Sequence, residues 1–177
     1  MAEARRERLF FALWPDPDLR SRLATAGAAA LAGSGRLVPP ERIHLTLAFV
    51  GDVDKPVRQC LLEEAGRIAA PAFTLVLDRL GWWRRSQVLW VGTDHGPAGL
   101  AQLVAEVHRV CGRCDVALEA RAFATHVTLA RKVRRAETGE PPPGLVWSVG
   151  EFALVRSVTG RDGLSYTTVA TWPLAEG

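Results

Sequence analysis

The 177-residue chain is poor in sulfur and almost without lysine. Its three cysteines are too few, and odd in number, to imply a disulfide framework, and they suit a reducing compartment. Cys111 and Cys114 form a C-x-x-C, but Cys60 is the only other thiol, so the second ligand pair of a zinc ribbon is missing. Of the 22 basic residues only Lys55 and Lys132 are lysines; the rest are arginines, whose planar fork suits phosphate. A coding bias toward arginine explains this as well as selection for a phosphate ligand does. No apolar run approaches the roughly 20 residues that span a bilayer, the longest being the alanine-rich stretch from Leu23 to Gly33. The opening from Met1 to Arg8 leads directly into Leu9 to Leu13 without a small-residue cleavage site, so a cytoplasmic protein is expected.

What remains is an ordinary globular mixture, 48% hydrophobic and 23% charged, with a net charge of +3. This length fits one domain over residues 1–177, built as two small lobes on a shared core. The mild positive charge admits nucleic acid as a partner without selecting it.

Periodicity and turn signals divide the chain. Leu9 to Leu13 predicts a strand, Asp18 to Leu31 a helix, Ile43 to Val50 a strand and Val57 to Ala69 a helix, with Pro56 in its first turn. Phe73 to Leu80 and Gln87 to Gly92 predict paired strands joined by the turn Gly81 to Ser86. A helix follows over Gly99 to Val110, then strands at His126 to Arg131, Val149 to Ser157 and Ser165 to Trp172. Strict βαβ alternation is absent, which favours an α+β fold with mainly antiparallel sheets and helices outside.

One short repeat stands out. His44-Leu45-Thr46-Leu47 and His126-Val127-Thr128-Leu129 are two copies of His-x-Thr-Leu, 82 residues apart, each on a predicted strand. Alternation puts His44 and Thr46 on one face, with Ile43, Leu45, Leu47 and Phe49 on the other, and the second copy repeats this. If the two faces meet, two imidazoles and two hydroxyls line one cleft. Imidazole titrates near pH 6.5, so one ring can accept a proton while the other donates one, and the hydroxyls can hold phosphate oxygens. No metal is required. His95, in a turn, and His108, within the amphipathic helix, read as structural or solvent-facing.

These residues resemble the two-histidine (2H) phosphoesterase superfamily, and within it the bacterial and archaeal RNA 2′,3′-cyclic phosphodiesterases, historically called 2′-5′ RNA ligases. The resemblance runs through Arg8-Leu9-Phe10-Phe11-Ala12, Ile43 to Gly51, Phe73-Thr74-Leu75, the Trp82 to Trp90 hairpin and Phe123 to Arg131. It implies two pseudo-symmetric lobes flanking a central cleft, hydrolysis of a 2′,3′-cyclic phosphate to a 2′-phosphate without a cofactor, and weak reversible 2′-5′ ligation. Its substrate would be an RNA end or a cyclic nucleotide, and a monomer suffices. By position, His44 would be the general acid, His126 the general base, and Thr46, Thr128 and Arg131 the phosphate ligands. Thr125 departs from the proline that relatives often carry there.

Arg131 lies five residues after His126, so alternation turns it away unless the strand ends, twists or bulges; Lys132 has the correct parity. Phe11 or an aromatic of the Trp82, Trp83 and Trp90 group is available to stack on a base. Two rival readings are a non-catalytic module that binds RNA ends and a metal hydrolase using both histidines, which lacks a third ligand. The acid–base reading predicts a bell-shaped pH profile with limbs on either side of neutrality.

Overall fold

The computed structural model describes residues 6–176, so the opening segment before Arg6 lies outside the described residues. The strands are β1 (Glu7–Leu13), β2 (Arg36–Leu37), β3 (Leu45–Val53), β4 (Phe73–Val76), β5 (Arg79–Trp83), β6 (Val88–Gly92), β7 (His126–Arg131), β8 (Val146–Val149), β9 (Glu151–Gly160) and β10 (Gly163–Pro173). Three α-helices, α1 (Pro17–Ala30), α2 (Lys55–Ala65) and α3 (Ala98–Arg113), complete an α+β fold.

The helix starts follow local chemistry. Asp16 accepts a hydrogen bond from the Leu19 amide at 2.9 Å, and Asp54 does the same for Val57 at 3.0 Å. Each such cap contributes about 1 kcal/mol. Helix α3 lacks a side-chain cap and is held by its apolar stripe, with Leu100, Leu103, Val104, Val107 and Val110 all buried.

Eight strands form one sheet in the order β10-β9-β1-β3-β7-β6-β5, with β2 added on β7; β4 and β8 make a separate ribbon. All pairings along the large sheet are antiparallel. The two central strands touch at one residue pair, Leu45 opposite Val127. Their separation in sequence is that of the two His-x-Thr copies, so a local two-fold axis at this pair exchanges the copies. Helices cover the face that carries Leu45, Leu47, Val127 and Leu129. They do so crosswise: α1, which follows β1, packs on β7, and α3, which follows β6, packs on β3. No described helix is long and apolar enough to cross a membrane.

Three sequence expectations change. The strand expected over Phe73 to Leu80 is two strands, and Gly81, Trp82 and Trp83 belong to β5 rather than to the turn. Strand β8, absent from the sequence reading, pairs with β4 and buries Trp147 and Val149. The cysteines also pair: a disulfide joins Cys60 on α2 to Cys114 at the end of α3. Cys111 stays a buried free thiol, its pKa pushed up to about 11 by burial. An odd cysteine count excludes full pairing but not one bridge.

Candidate active site

The single-pair seam decides the geometry. Continuing its register one residue each way sets His44 beside Thr128 and Thr46 beside His126. The two histidines are then diagonal neighbours, at roughly 7–8 Å in a regular ladder. Both lie on the face opposite Leu45 and Val127, as strand alternation requires.

Each imidazole is anchored in the same way. His44 Nδ1 donates to the Arg42 carbonyl at 2.6 Å, and His126 Nδ1 donates to the Ala124 carbonyl at 2.8 Å. A carbonyl can only accept, so Nδ1 carries the proton and Nε2 is left to exchange protons with whatever enters. His44 Nε2 lies 3.0 Å from the Thr46 hydroxyl, which donates to the neutral ring and accepts from the charged one.

The environments differ. His44 is walled by Phe10, Trp14 and Tyr166, with ring centroids at 5.0, 5.4 and 5.3 Å. His126 has Trp83 edge-on at 4.7 Å. Burial lowers the pKa of His44 to about 4, against a hydrogen bond to Arg42 that favours the charged form; the Arg131 guanidinium and His126 push it further down. Burial also lowers the pKa of His126, with smaller contributions from Arg131 and Arg121. One guanidinium thus acts on both imidazoles.

A cleft of about 530 Å³ opens at this point. Thr46, His126, Thr128 and Arg131 line it, and His44 joins it through its bond to Thr46. The position of Arg131 has a definite cause. Strand β6 pairs Trp90 with Thr128 but Leu89 with Ala130, so Leu129 is an extra residue and the alternation resets. The bulge turns Arg131 to the histidine face, while Lys132, in the left-handed region at φ 55°, does not line the cleft.

The same event occurs in the first copy. Strand β1 pairs Ala12 with Thr46 but Phe11 with Ala48, leaving Leu47 as the extra residue. Phe49, expected on the core face with Leu45, is instead 62% exposed and lines the cleft as the symmetry counterpart of Arg131. His108 has a definite place as well: its Nε2 sits 3.4 Å from the carbonyl of Leu47, at the cleft floor.

Phe11 is the site expectation that the structure overturns. It is 0% exposed, packed against Phe152 and Trp172 in the core, and has no face to offer a base. In the Phe10-Phe11 pair, Phe11 falls on the helix-covered face and Phe10 on the His44 face. The exposed aromatic surfaces at the cleft are Phe49 and Trp83. Trp82 is tied down by its indole N–H, which donates to the Val133 carbonyl at 3.2 Å, and Trp90 is buried under Trp83. Among the described residues no three His, Cys, Asp or Glu side chains converge as a metal-ligand set.

Known proteins are similar to this chain in sequence and fold. The family description LigT-like phosphoesterase matches residues 13–90. An RNA 2′,3′-cyclic phosphodiesterase of Escherichia coli is 38% identical over 173 residues, covering 96% of this chain and 98% of the relative. One of Thermus thermophilus is 32% identical over 181 residues, covering 94% and 90%. The crystal structure of E. coli LigT complexed with 3′-AMP superposes with a TM-score of 0.90 at 35% identity, over 96% of this chain and 99% of that one. With both histidine copies meeting on one seam and relatives this similar over nearly the whole length, the chain belongs to the LigT-like phosphoesterase family of the 2H superfamily.

Proposed function

We propose that this protein is an RNA 2′,3′-cyclic phosphodiesterase that opens the cyclic phosphate to a 2′-phosphomonoester by acid–base catalysis between two histidines. The observation that carries the reading is the meeting of two His-x-Thr copies at the one residue pair joining the half-sheets. Water attacks phosphorus as His126 Nε2 takes its proton; the bond to the 3′ oxygen breaks as His44 Nε2–H protonates that oxygen. The Thr46 and Thr128 hydroxyls and the Arg131 guanidinium hold the non-bridging oxygens, where charge grows in the transition state. The base rests on Phe49 or Trp83 in place of Phe11. With a ribose 5′-hydroxyl attacking in place of water, His126 taking its proton and the 3′ oxygen leaving with one from His44, the same groups form a P–O5′ bond as the P–O3′ bond breaks. This gives weak 2′-5′ ligation, which is undone when the displaced 3′-hydroxyl attacks in turn. The working unit is a monomeric, single two-lobed domain acting on RNA or cyclic nucleotides in the cytoplasm.

The test is a nucleoside 2′,3′-cyclic phosphate offered in excess chelator, with products followed by phosphorus NMR. Accumulation of the 2′-phosphate is expected. Tight binding without turnover would make the chain an RNA-end-binding module, and loss of turnover in chelator would return the histidines to the role of metal ligands.

The pH dependence follows from the lowered pKa values. The productive form holds one proton on the histidine pair, and in the free protein both rings titrate below the ordinary 6.5. The kcat/KM profile should therefore rise up to about pH 4, level off there, and fall about tenfold per unit above the lowered pKa of His126, on the acid side of 6.5. This replaces the expectation of limbs on both sides of neutrality. Tyr166→Ala, which admits water beside His44, should move the acid limb upward. An unchanged acid limb in that variant, or a wild-type descending limb above pH 7, would contradict the assignment.

A further inference from the structure

Charge is distributed unevenly over the arginines. Arg22, Arg58, Arg67, Arg79, Arg109 and Arg113 each have a carboxylate partner, as do Arg121 and Arg156. By contrast, Arg84, Arg85, Arg131, Lys132, Arg134 and Arg135 are all exposed, and none forms an ion pair among the described residues.

These six come from two segments that the backbone clamps together. The amide of Val133 donates to the Gln87 carbonyl at 3.0 Å, which sets the 131–135 segment against the hairpin turn containing Arg84 and Arg85. Arg134 N–H bonds to the Ser34 carbonyl, and Arg36 pairs opposite Arg131, which brings a further exposed cation to the same corner. The cluster is continuous with the cleft, because Trp83, Ser86 and Arg131 line the cleft and border the patch. Like charges gathered on a surface without counter-charges repel, at a cost that a bound polyanion removes.

We infer that this corner is a track for the RNA strand: the phosphodiesters on the 5′ side of the reacting end cross Arg84, Arg85, Arg134 and Arg135, so the substrate is an oligonucleotide rather than a lone cyclic nucleotide. The inference rests on the proposed function. A 2′,3′-cyclic phosphate closes the 3′ end of a strand, so all remaining phosphates leave the cleft in one direction. The cationic corner is a continuous exit for them, and Trp83 lies between the cleft and the patch as a stacking surface.

The experiment compares a nucleoside 2′,3′-cyclic phosphate with a six-nucleotide RNA ending in the same group, for the wild type and for the combined variant Arg84→Ala, Arg85→Ala, Arg134→Ala, Arg135→Ala. Each contacted phosphate adds about 0.7 to the slope of log kcat/KM against log salt for a single strand. Four contacts give a slope near −3, or roughly a 50-fold fall between 50 and 200 mM salt. The wild type should prefer the hexamer and show this slope. The variant should lose both the preference and the slope, with mononucleotide turnover unchanged, which also reports that it has folded. Equal kcat/KM and salt slopes for the two substrates in the wild type, or a variant that keeps the hexamer preference, would overturn the track. So would wild-type binding to anionic vesicles that the variant loses while hexamer kinetics stay unchanged, which would assign the patch to a membrane. Absence of turnover on both the mononucleotide and the hexamer in every protein would instead fail the phosphodiesterase reading.

Discussion

His44→Ala and His126→Ala should each lower kcat on a nucleoside 2′,3′-cyclic phosphate by about 10²- to 10⁴-fold, the usual worth of a positioned acid or base. KM should change little, because Thr46, Thr128 and Arg131 remain to hold the phosphate. The two losses should not multiply in the double variant, since the proton transfers belong to one step. A variant keeping a tenth of wild-type kcat would remove its histidine from the reaction.

The His44 variant carries its own folding control. In the unfolded chain His44 binds a proton as pH falls through 6.5, whereas the folded protein refuses it until about 4. The folded state therefore loses stability from pH 6.5 downward, by about 2 kcal/mol at pH 5. Alanine removes this linkage, so the variant should lose less stability than the wild type between pH 7 and pH 5 in urea unfolding. Equal losses would mean that the imidazole is not held neutral by the fold.

Gly92→Ala should be the most damaging substitution away from the cleft. Gly92 pairs with His126, and a Cβ built on it would lie 1.9 Å from the Thr125 carbonyl oxygen and 3.2 Å from the His126 Cα. Those atoms are backbone, so no rotamer relieves the overlap and β6 must move away from β7 where the His126 ring is anchored. Overpacking of this kind costs about 1–3 kcal/mol or more. We expect a lowered Tm together with a kcat at least tenfold down, since the Ala124 carbonyl and the ring it orients shift together. Gly112→Ala, on an open face of α3, is the comparison; it should be neutral or slightly stabilising by helix propensity. Full activity in Gly92→Ala would show that the strands part without disturbing His126.

The sequence carried the site to a particular depth. Alternation along Ile43 to Thr46 and along His126 to Thr128 placed both histidines and both threonines on the correct face, because one stretch of strand suffices to define it. It failed from Leu47 and Leu129 onward. A bulge is a mismatch between two paired strands, and only the partner strand reveals the extra residue. For that reason alternation alone puts Phe49 in the core and turns Arg131 away, whereas the two bulges bring both to the cleft. For Phe11 the reason is simpler: either of two adjacent phenylalanines can face the core, and strand register decides which does. Strand β8 and the Cys60–Cys114 bridge are long-range pairings of segments without local signature. The repeat, by contrast, brings both copies to one cleft, but as two faces meeting; only the strand pairing shows them side by side on one sheet face.

The crossed helices bear on how the molecule comes apart. Helix α1 covers β7 although the strand before it, β1, belongs to the other half, and α3 covers β3 although β6 before it and β7 after it belong to the other half, so neither half keeps its cover if the other melts. Denaturation should accordingly be cooperative, with strand and helix signals lost at one midpoint, and cutting the backbone between α2 and β4 with the Cys60–Cys114 bridge reduced should yield no piece that persists alone.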